Sequence, residues 1–226
     1  MSIRSKIKTL LRRARGLIHR NPQRFLRHVQ GVIHVGANAG QERDLYNKHG
    51  LAVVWIEPIP EVFRELEANI AALPRQRGIQ GLVADVDGQE YAFHVANNHG
   101  LSSSIFALKH HRDVWPDVRY EKTIVLKSTT LPSLCERHGI DCREYQALIL
   151  DTQGSELLIL RGARELLPAF TYIQAEAADF EVYEGCCRIG ELSGFLAECG
   201  FRERARYCFA TRPGGGRCYD VIYEKC

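Results

Sequence analysis

The chain has 226 residues, 45% of them hydrophobic and 25% charged, with a formal net charge of +3. That size suits one well-cored domain with a short appendage, and the composition excludes a disordered or collagen-like chain. Residues 1–41 hold nine Lys/Arg and no Asp or Glu, which leaves 21 basic against 27 acidic residues beyond them, and a body of that sign excludes a broad nucleic-acid-binding face.

Taken in order, Ile3, Ile7, Leu10, Leu11, Ala14, Leu17 and Ile18 recur at helical spacing among Arg4, Lys6, Lys8, Arg12, Arg13 and Arg15. This pattern predicts a basic amphipathic helix, able either to lie on an anionic membrane surface through residues 1–20 or to pack on the body. It also fits a transit peptide, and it lacks the apolar core of a signal peptide or a membrane span. Asn21-Pro22 breaks the helix, and we divide the chain into an arm over residues 1–30 and a domain over residues 31–226.

Val32 to Val35 is a short apolar run that stops at Gly36-Ala37-Asn38-Ala39-Gly40, with a polar helical stretch from Gln41 to His49 behind it. A buried strand that ends in a glycine turn and hands over to a helix fits the floor of a cofactor site, since glycine lets both chain and ligand come close, and taken alone it also fits an ordinary strand-to-helix connection. A second strand, Leu51 to Ile56, ends at Glu57-Pro58, and a helix follows with Val62, Phe63, Leu66 and Ile70 on one face. Glu57 lies 21 residues beyond Gly36, the spacing at which an acid accepts hydrogen bonds from a nucleoside ribose.

Leu82 to Asp85 reads as the third strand, which would put Asp85 beside Glu57 and within reach of an adenine amino group. Glu90 to Val95 alternates as a strand, and Asn97 to Ser104 is a polar loop leading to His110-His111 and Trp115, where a lid or substrate contact is expected. Further on come a strand at Thr123 to Lys127, a helix at Leu131 to His138 and the apolar strand Ala147 to Leu150, which stops at Asp151. A helix from Ser155 to Leu167, a strand from Thr171 ending at Glu176, a helix from Ile189 to Cys199 and two strands joined by Pro213 to Gly216 complete the chain.

Strands alternating with helices predict an α/β fold with a mostly parallel sheet, helices on both faces and a closing hairpin. Ligands in such sheets sit at the carboxyl ends of strands where the winding reverses. That switch is expected between the first strand and Ala147 to Leu150, so that Gly36, Glu57, Asp85 and Asp151 share one pocket. A dinucleotide site would carry Gly-x-Gly-x-x-Gly, but counting from Gly36 its second and third glycines fall on Asn38 and Gln41. A nucleoside ligand without phosphate fits better. The eight cysteines include no Cys-x-x-Cys pair and no zinc spacing, and read as reduced thiols of a cytosolic protein.

Together, His34-Val-Gly-Ala-Asn-Ala-Gly-Gln-Glu42, Trp55-Ile-Glu-Pro-Ile-Pro60, Asn98 to Ser104, Leu150-Asp-Thr-Gln-Gly-Ser-Glu156 with Leu160-Arg-Gly-Ala163, and Glu176 with Tyr183-Glu-Gly185 resemble the FkbM-type class I S-adenosylmethionine-dependent methyltransferases. The resemblance runs from about Gly31 to the C-terminus. It implies a Rossmann-like, seven-stranded sheet with a reversed last strand, S-adenosylmethionine as methyl donor, and O-methylation of a sugar, glycolipid or natural-product hydroxyl. Gly36, Ala37, Asn38 and Gly40 would line the methionine end, with His34 at a position where many such enzymes carry an acid. Glu57 would hold the ribose and Asp85 the adenine.

Asp151 is the first candidate for the base that takes the acceptor's proton, with Glu176 next along the sheet and His110 as an outside choice. Asp151 and Glu176 are a pair able to share a Mg²⁺ ion, but two carboxylates without a third ligand do not define a site, and no metal is assigned. Two other readings stay open at this point. One is a nicotinamide-dependent oxidoreductase, and the other is a non-catalytic module brought to membranes by its basic arm.

Overall fold

The computed structural model describes residues 22–226; the expected basic helix lies outside the described residues. Ten strands form two sheets. The larger has the order β3-β2-β1-β7-β8-β10-β9, built from β1 (Gly31–Val35), β2 (Ala52–Glu57), β3 (Gln76–Gln80), β7 (Ala147–Leu150), β8 (Tyr172–Ala178), β9 (Phe201–Thr211) and β10 (Arg217–Lys225). Strands β3, β2, β1, β7 and β8 are parallel neighbours, and β10 runs antiparallel between β8 and β9. The reversed strand and the terminal hairpin are those expected, and the winding switches between β1 and β7.

Both faces of the central strands are covered, which is why they read as unbroken apolar runs. Alternate residues feed two cores. Ile33, Val35, Val54, Ile56, Leu148 and Leu150 point to one face, and Val32, Val53, Trp55, Ala147 and Ile149 to the other. Fully burying a side chain of this size contributes about 1.5–3 kcal/mol. Helix α1 (Arg43–Lys48) delivers Tyr46 to the second core. Helix α2 (Pro60–Ile70) starts on a proline and buries Val62, Leu66 and Ile70, a stripe at intervals of four residues. A 3-10 segment, Pro22–His28, places Phe25 and Leu26 in the same core, so the end of the expected arm is packed on the domain. The Gln146 side chain joins the starts of two strands, accepting from the Gln30 N–H at 2.7 Å and the Gly31 N–H at 3.3 Å.

One expectation needs correction. The third strand of the large sheet is Gln76–Gln80, whereas Leu82–Val83 is β4 of the smaller sheet, order β4-β6-β5, with β5 (Glu90–Ala96) and β6 (Tyr120–Thr129). The chain leaves the large sheet at Gly81, whose N–H still donates to the Glu57 carbonyl at 3.2 Å. A one-turn helix α3 (His111–Val114) lies between β5 and β6, and α4 (Leu131–Arg137) between β6 and β7. Helix α5 (Glu156–Gly162) follows β7, and α6 (Ile189–Glu198) precedes the terminal hairpin.

Candidate active site at the carboxyl ends of the strands

The turn after β1 is fixed from both sides. The N–H groups of Gly36 and Ala37 both donate to the Ile56 carbonyl at 3.0 Å, and the Asp151 N–H donates to the Val35 carbonyl at 3.0 Å. Gly36 has φ +83°, and a Cβ there would stand 1.9 Å from the Asp151 carbonyl oxygen. The turn and the tip of β7 therefore meet at backbone contact, across the switch point where the sequence placed them.

Glu57, at the tip of β2, is 3% exposed and grips this turn. Its Oε2 accepts the Asn38 N–H at 2.9 Å and its Oε1 accepts the Ile59 N–H at 2.9 Å. Burial pushes its carboxyl up to about 7, against the pull of those two hydrogen bonds, and the Asp151 charge adds to the rise. Asn38 stands in the left-handed region at φ 45°. Its side chain donates to the His99 carbonyl at 2.9 Å and accepts from Gln41 Nε2 at 2.8 Å. The polar loop thus folds back over the turn, where Gly100 lies against Asn38, Ile59 and Val62.

On the other side of the switch, Gln153 organises the acids. Its Nε2 donates to Asp151 Oδ1 at 2.6 Å and to Glu176 Oε2 at 3.0 Å, while its Oε1 accepts from the buried Tyr183 hydroxyl at 2.7 Å. Its backbone is left-handed, at φ 56°, and its carbonyl accepts from Ser104 Oγ at 2.7 Å. Glu156, 3% exposed, closes the loop from below by accepting the N–H groups of Thr152 at 3.0 Å and Gly154 at 3.1 Å. Burial raises its carboxyl to about 7 as well. The Asp151 charge adds a lesser part to the rise at both Glu57 and Glu156.

Gly36, Ala37, Asn38, Glu57, Asp151 and Glu176 are thus brought to one end of the sheet, and Gly40 closes the turn against Leu66. The remaining candidates have other surroundings. His34 lies in the second core, stacked 4.9 Å from the Trp55 ring with Nδ1 3.1 Å from the Tyr46 hydroxyl, and burial lowers its pKa to about 3. Asp85 packs its backbone against Gly162 and accepts from the Tyr91 hydroxyl at 3.5 Å. His110 pairs with Asp113 at 3.1 Å, and it is His111 whose ring lies 5.3 Å from Tyr183 and whose Nε2 is 3.1 Å from Ser102 Oγ. Sequence reasoning gave no role to Gln153, Glu156 or Tyr183, although all three stand inside or beside the motifs it used. Among the described residues, no three His, Cys, Asp or Glu side chains are grouped to hold a metal ion.

The sequence model of the Methyltransferase FkbM domain matches residues 34–203, three quarters of the chain. The chain belongs to the FkbM methyltransferase family. Within the curated proteins it is 28% identical over 162 residues to the 2-O-methyltransferase NoeI of Sinorhizobium fredii, covering 68% of this chain and 65% of that protein. It therefore spans just under two thirds of this relative's length. Among solved structures it is similar to the O-methyltransferase NcsB1 of neocarzinostatin biosynthesis, a complex with S-adenosyl-L-homocysteine and 1,4-dihydroxy-2-naphthoic acid. The TM-score is 0.51 at 11% identity, over 97% of this chain and 57% of that one. This likeness shows that the FkbM chain shares the class I methyltransferase fold.

Proposed function

We propose that this chain transfers a methyl group from S-adenosylmethionine to a hydroxyl of a sugar, glycolipid or other natural product. The observation that carries the reading is the buried Glu57 carboxylate at the tip of β2, bonded to the turn of β1 and facing Asp151 across the switch point. The residues present fit a nucleoside without phosphate. The place of a second fingerprint glycine is taken by Asn38, whose side chain is clamped to the loop above. The name of the relative from Sinorhizobium fredii supports oxygen as the methylated atom. Family membership counts against the nicotinamide reading.

When bound, S-adenosylmethionine supplies a methyl group on a positively charged sulfonium. The protein supplies alignment, exclusion of water and a proton acceptor. Gly36, Ala37, Asn38 and Gly40 present the turn to the methionine part, Glu57 takes hydrogen bonds from the ribose, and Asp85 serves the adenine amino group. His34 acts behind the turn, through Trp55 and Tyr46. As the methyl group left the sulfonium sulfur for the acceptor oxygen, the hydroxyl proton would pass to Asp151, while Glu176, held with Asp151 by the Gln153 amide, would orient the hydroxyl.

The sequence divides into an arm over residues 1–30 and a methyltransferase domain over residues 31–226, with Phe25 and Leu26 at the end of the arm packed in the domain's core. The basic pattern of residues 1–20 suits either contact with an anionic membrane surface from the cytoplasm or packing on the body. No helix among the described residues is long and apolar enough to cross a membrane. Calorimetric titration with S-adenosylmethionine, S-adenosylhomocysteine and NADH, with Glu57→Ala beside the wild type, tests the donor assignment. Binding of the first two ligands, lost in the variant, is expected; binding of NADH alone would overturn it.

A further inference from the structure

Beside Glu176 the structure holds a crevice whose lining includes Gln153 and Glu176 together with the apolar side chains of Trp115, Val182 and Phe209. The remaining lining is Gly154, two alanines, three cysteines and two side chains whose polar atoms are already committed. These two are Tyr183, with its hydroxyl on Gln153, and Glu156, with its carboxylate on Thr152 and Gly154. Among the described residues, no Lys, Arg, His, Asp, Asn, Ser or Thr lines it.

The walls are built rather than loose. The N–H groups of Lys109 and His111 donate to the Val182 carbonyl at 3.2 and 2.9 Å, and the Glu184 N–H donates to the Ala107 carbonyl at 2.9 Å. The segment carrying Trp115 is thereby fastened to the segment carrying Val182. Trp115, Val182 and Phe209 are half-buried and pack against the small core of Ala178, Phe180 and Cys218.

A bare sugar placed here would bury hydroxyls against carbon and sulfur with no partners, and each unpaired polar group is costly. A phosphate or carboxylate would meet two acids and, among the described residues, no cation. A sugar with one hydroxyl at Gln153 and Glu176 and its other hydroxyls left in solvent would instead lay an apolar aglycone against Trp115, Val182 and Phe209. We infer that this crevice is the acceptor subsite and takes a neutral alcohol borne on an apolar body, such as an alkyl or aryl glycoside, in preference to a free or phosphorylated sugar. The assignment rests on the methyl-transfer reading for its chemistry, and on the lining alone for its selectivity.

The test compares hexyl β-D-glucoside with methyl β-D-glucoside and glucose 6-phosphate, titrated into the chain of residues 1–226 by calorimetry and by tryptophan fluorescence. The chain has two tryptophans, and Trp55 is fully buried in the core, so Trp115 is the reporter. Hexyl glucoside is expected to bind at least ten-fold more tightly than methyl glucoside, with glucose 6-phosphate weakest. Trp115→Phe should abolish the fluorescence change while leaving a calorimetric signal, and Val182→Glu should remove the preference for the hexyl chain. Equal binding of the two glucosides, binding of neither, or an unchanged preference in a Val182→Glu protein with native circular dichroism would overturn the subsite. Titration of the same samples with S-adenosylmethionine separates the two claims. If the donor binds and the hexyl preference is absent, the subsite falls and the donor assignment stands; if the preference is present without donor binding, the crevice's selectivity stands but its role as a methyl-acceptor subsite falls with the donor assignment.

Discussion

The Asn38 N–H donates to Oε2 of Glu57 at 2.9 Å, so the turn after the first strand and the tip of the second are joined through one buried carboxylate. That carboxylate ties local backbone geometry to ionisation. The group that shapes the turn is the same group that a nucleoside would engage.

Glu57→Gln tests this coupling. In the folded protein the Glu57 carboxyl is raised by burial to about 7 from 4.5, so its stabilising contribution is full below pH 4.5 and is lost as pH rises through 7. Each such group changes stability by up to about 1.4 kcal/mol per pH unit within that window. Urea denaturation between pH 4.5 and 8 should show the wild-type slope reduced in the variant. Glu156, also raised to about 7, keeps its own share. Donor affinity should rise with pH through 7 in the wild type and stay flat in Glu57→Gln.

Gly36→Ala places a Cβ 1.9 Å from the Asp151 carbonyl oxygen, on a backbone at φ +83°. Neither the tip of β7 nor the turn can yield without losing strand hydrogen bonds. We expect a loss of about 3 kcal/mol, seen as a lower urea midpoint with unchanged slope, together with loss of donor binding.

Gln153→Leu removes the amide that donates to both Asp151 and Glu176 and leaves the buried Tyr183 hydroxyl without its acceptor. Hydrogen bonds to carboxylates favour their ionised forms, so the acidic limb of the pH–rate profile should move to higher pH. A ten- to hundred-fold fall in kcat with little change in donor Kd is expected. An unchanged pH profile would show that Gln153 serves structure alone.

His34→Phe addresses the opposite ionisation. Burial lowers the His34 pKa from 6.5 to about 3, so its contribution is full above pH 6.5 and is lost as pH falls toward 3. The variant should lose less stability than the wild type over that acid range. At neutral pH it should be weaker by about 1–3 kcal/mol, because the buried Tyr46 hydroxyl loses its partner. Donor binding at pH 8 distinguishes a supporting role from direct contact: a Kd change below about three-fold is expected from a residue whose ring lies on Trp55.

The strands at the centre of the large sheet were legible because burial on both faces demands apolar residues at every position, as in Val32 to Val35 and Ala147 to Leu150. The third strand was not. Gln76-Arg77-Gly78-Ile79-Gln80 is an edge strand with exposed Arg77 and Gln80, so it carries little apolar signal beside the more hydrophobic Leu82-Val83. Glu57 and Asp151 could be placed because a strand end and a glycine turn fix their positions through the backbone. Gln153 could not, because its importance comes from a left-handed backbone and from two acids contributed by different strands. His111 and His110 are adjacent in sequence, and only the tertiary pairing with Ser102 and Tyr183 separates their surroundings.

The register of Val32 with Ala147 carries a consequence for how the chain folds as it is made. The two halves of the candidate site are separated by more than a hundred residues, and closing so long a loop delays their pairing relative to the local hairpins. On the ribosome, the turn at Gly36 emerges first and must wait, without its second wall, until Gln146 and the strand behind it leave the exit tunnel. A nascent chain halted before that point would hold every residue of the turn at Gly36 without the backbone contact that Asp151 supplies to it, so the proposed donor seat would be completed late in synthesis.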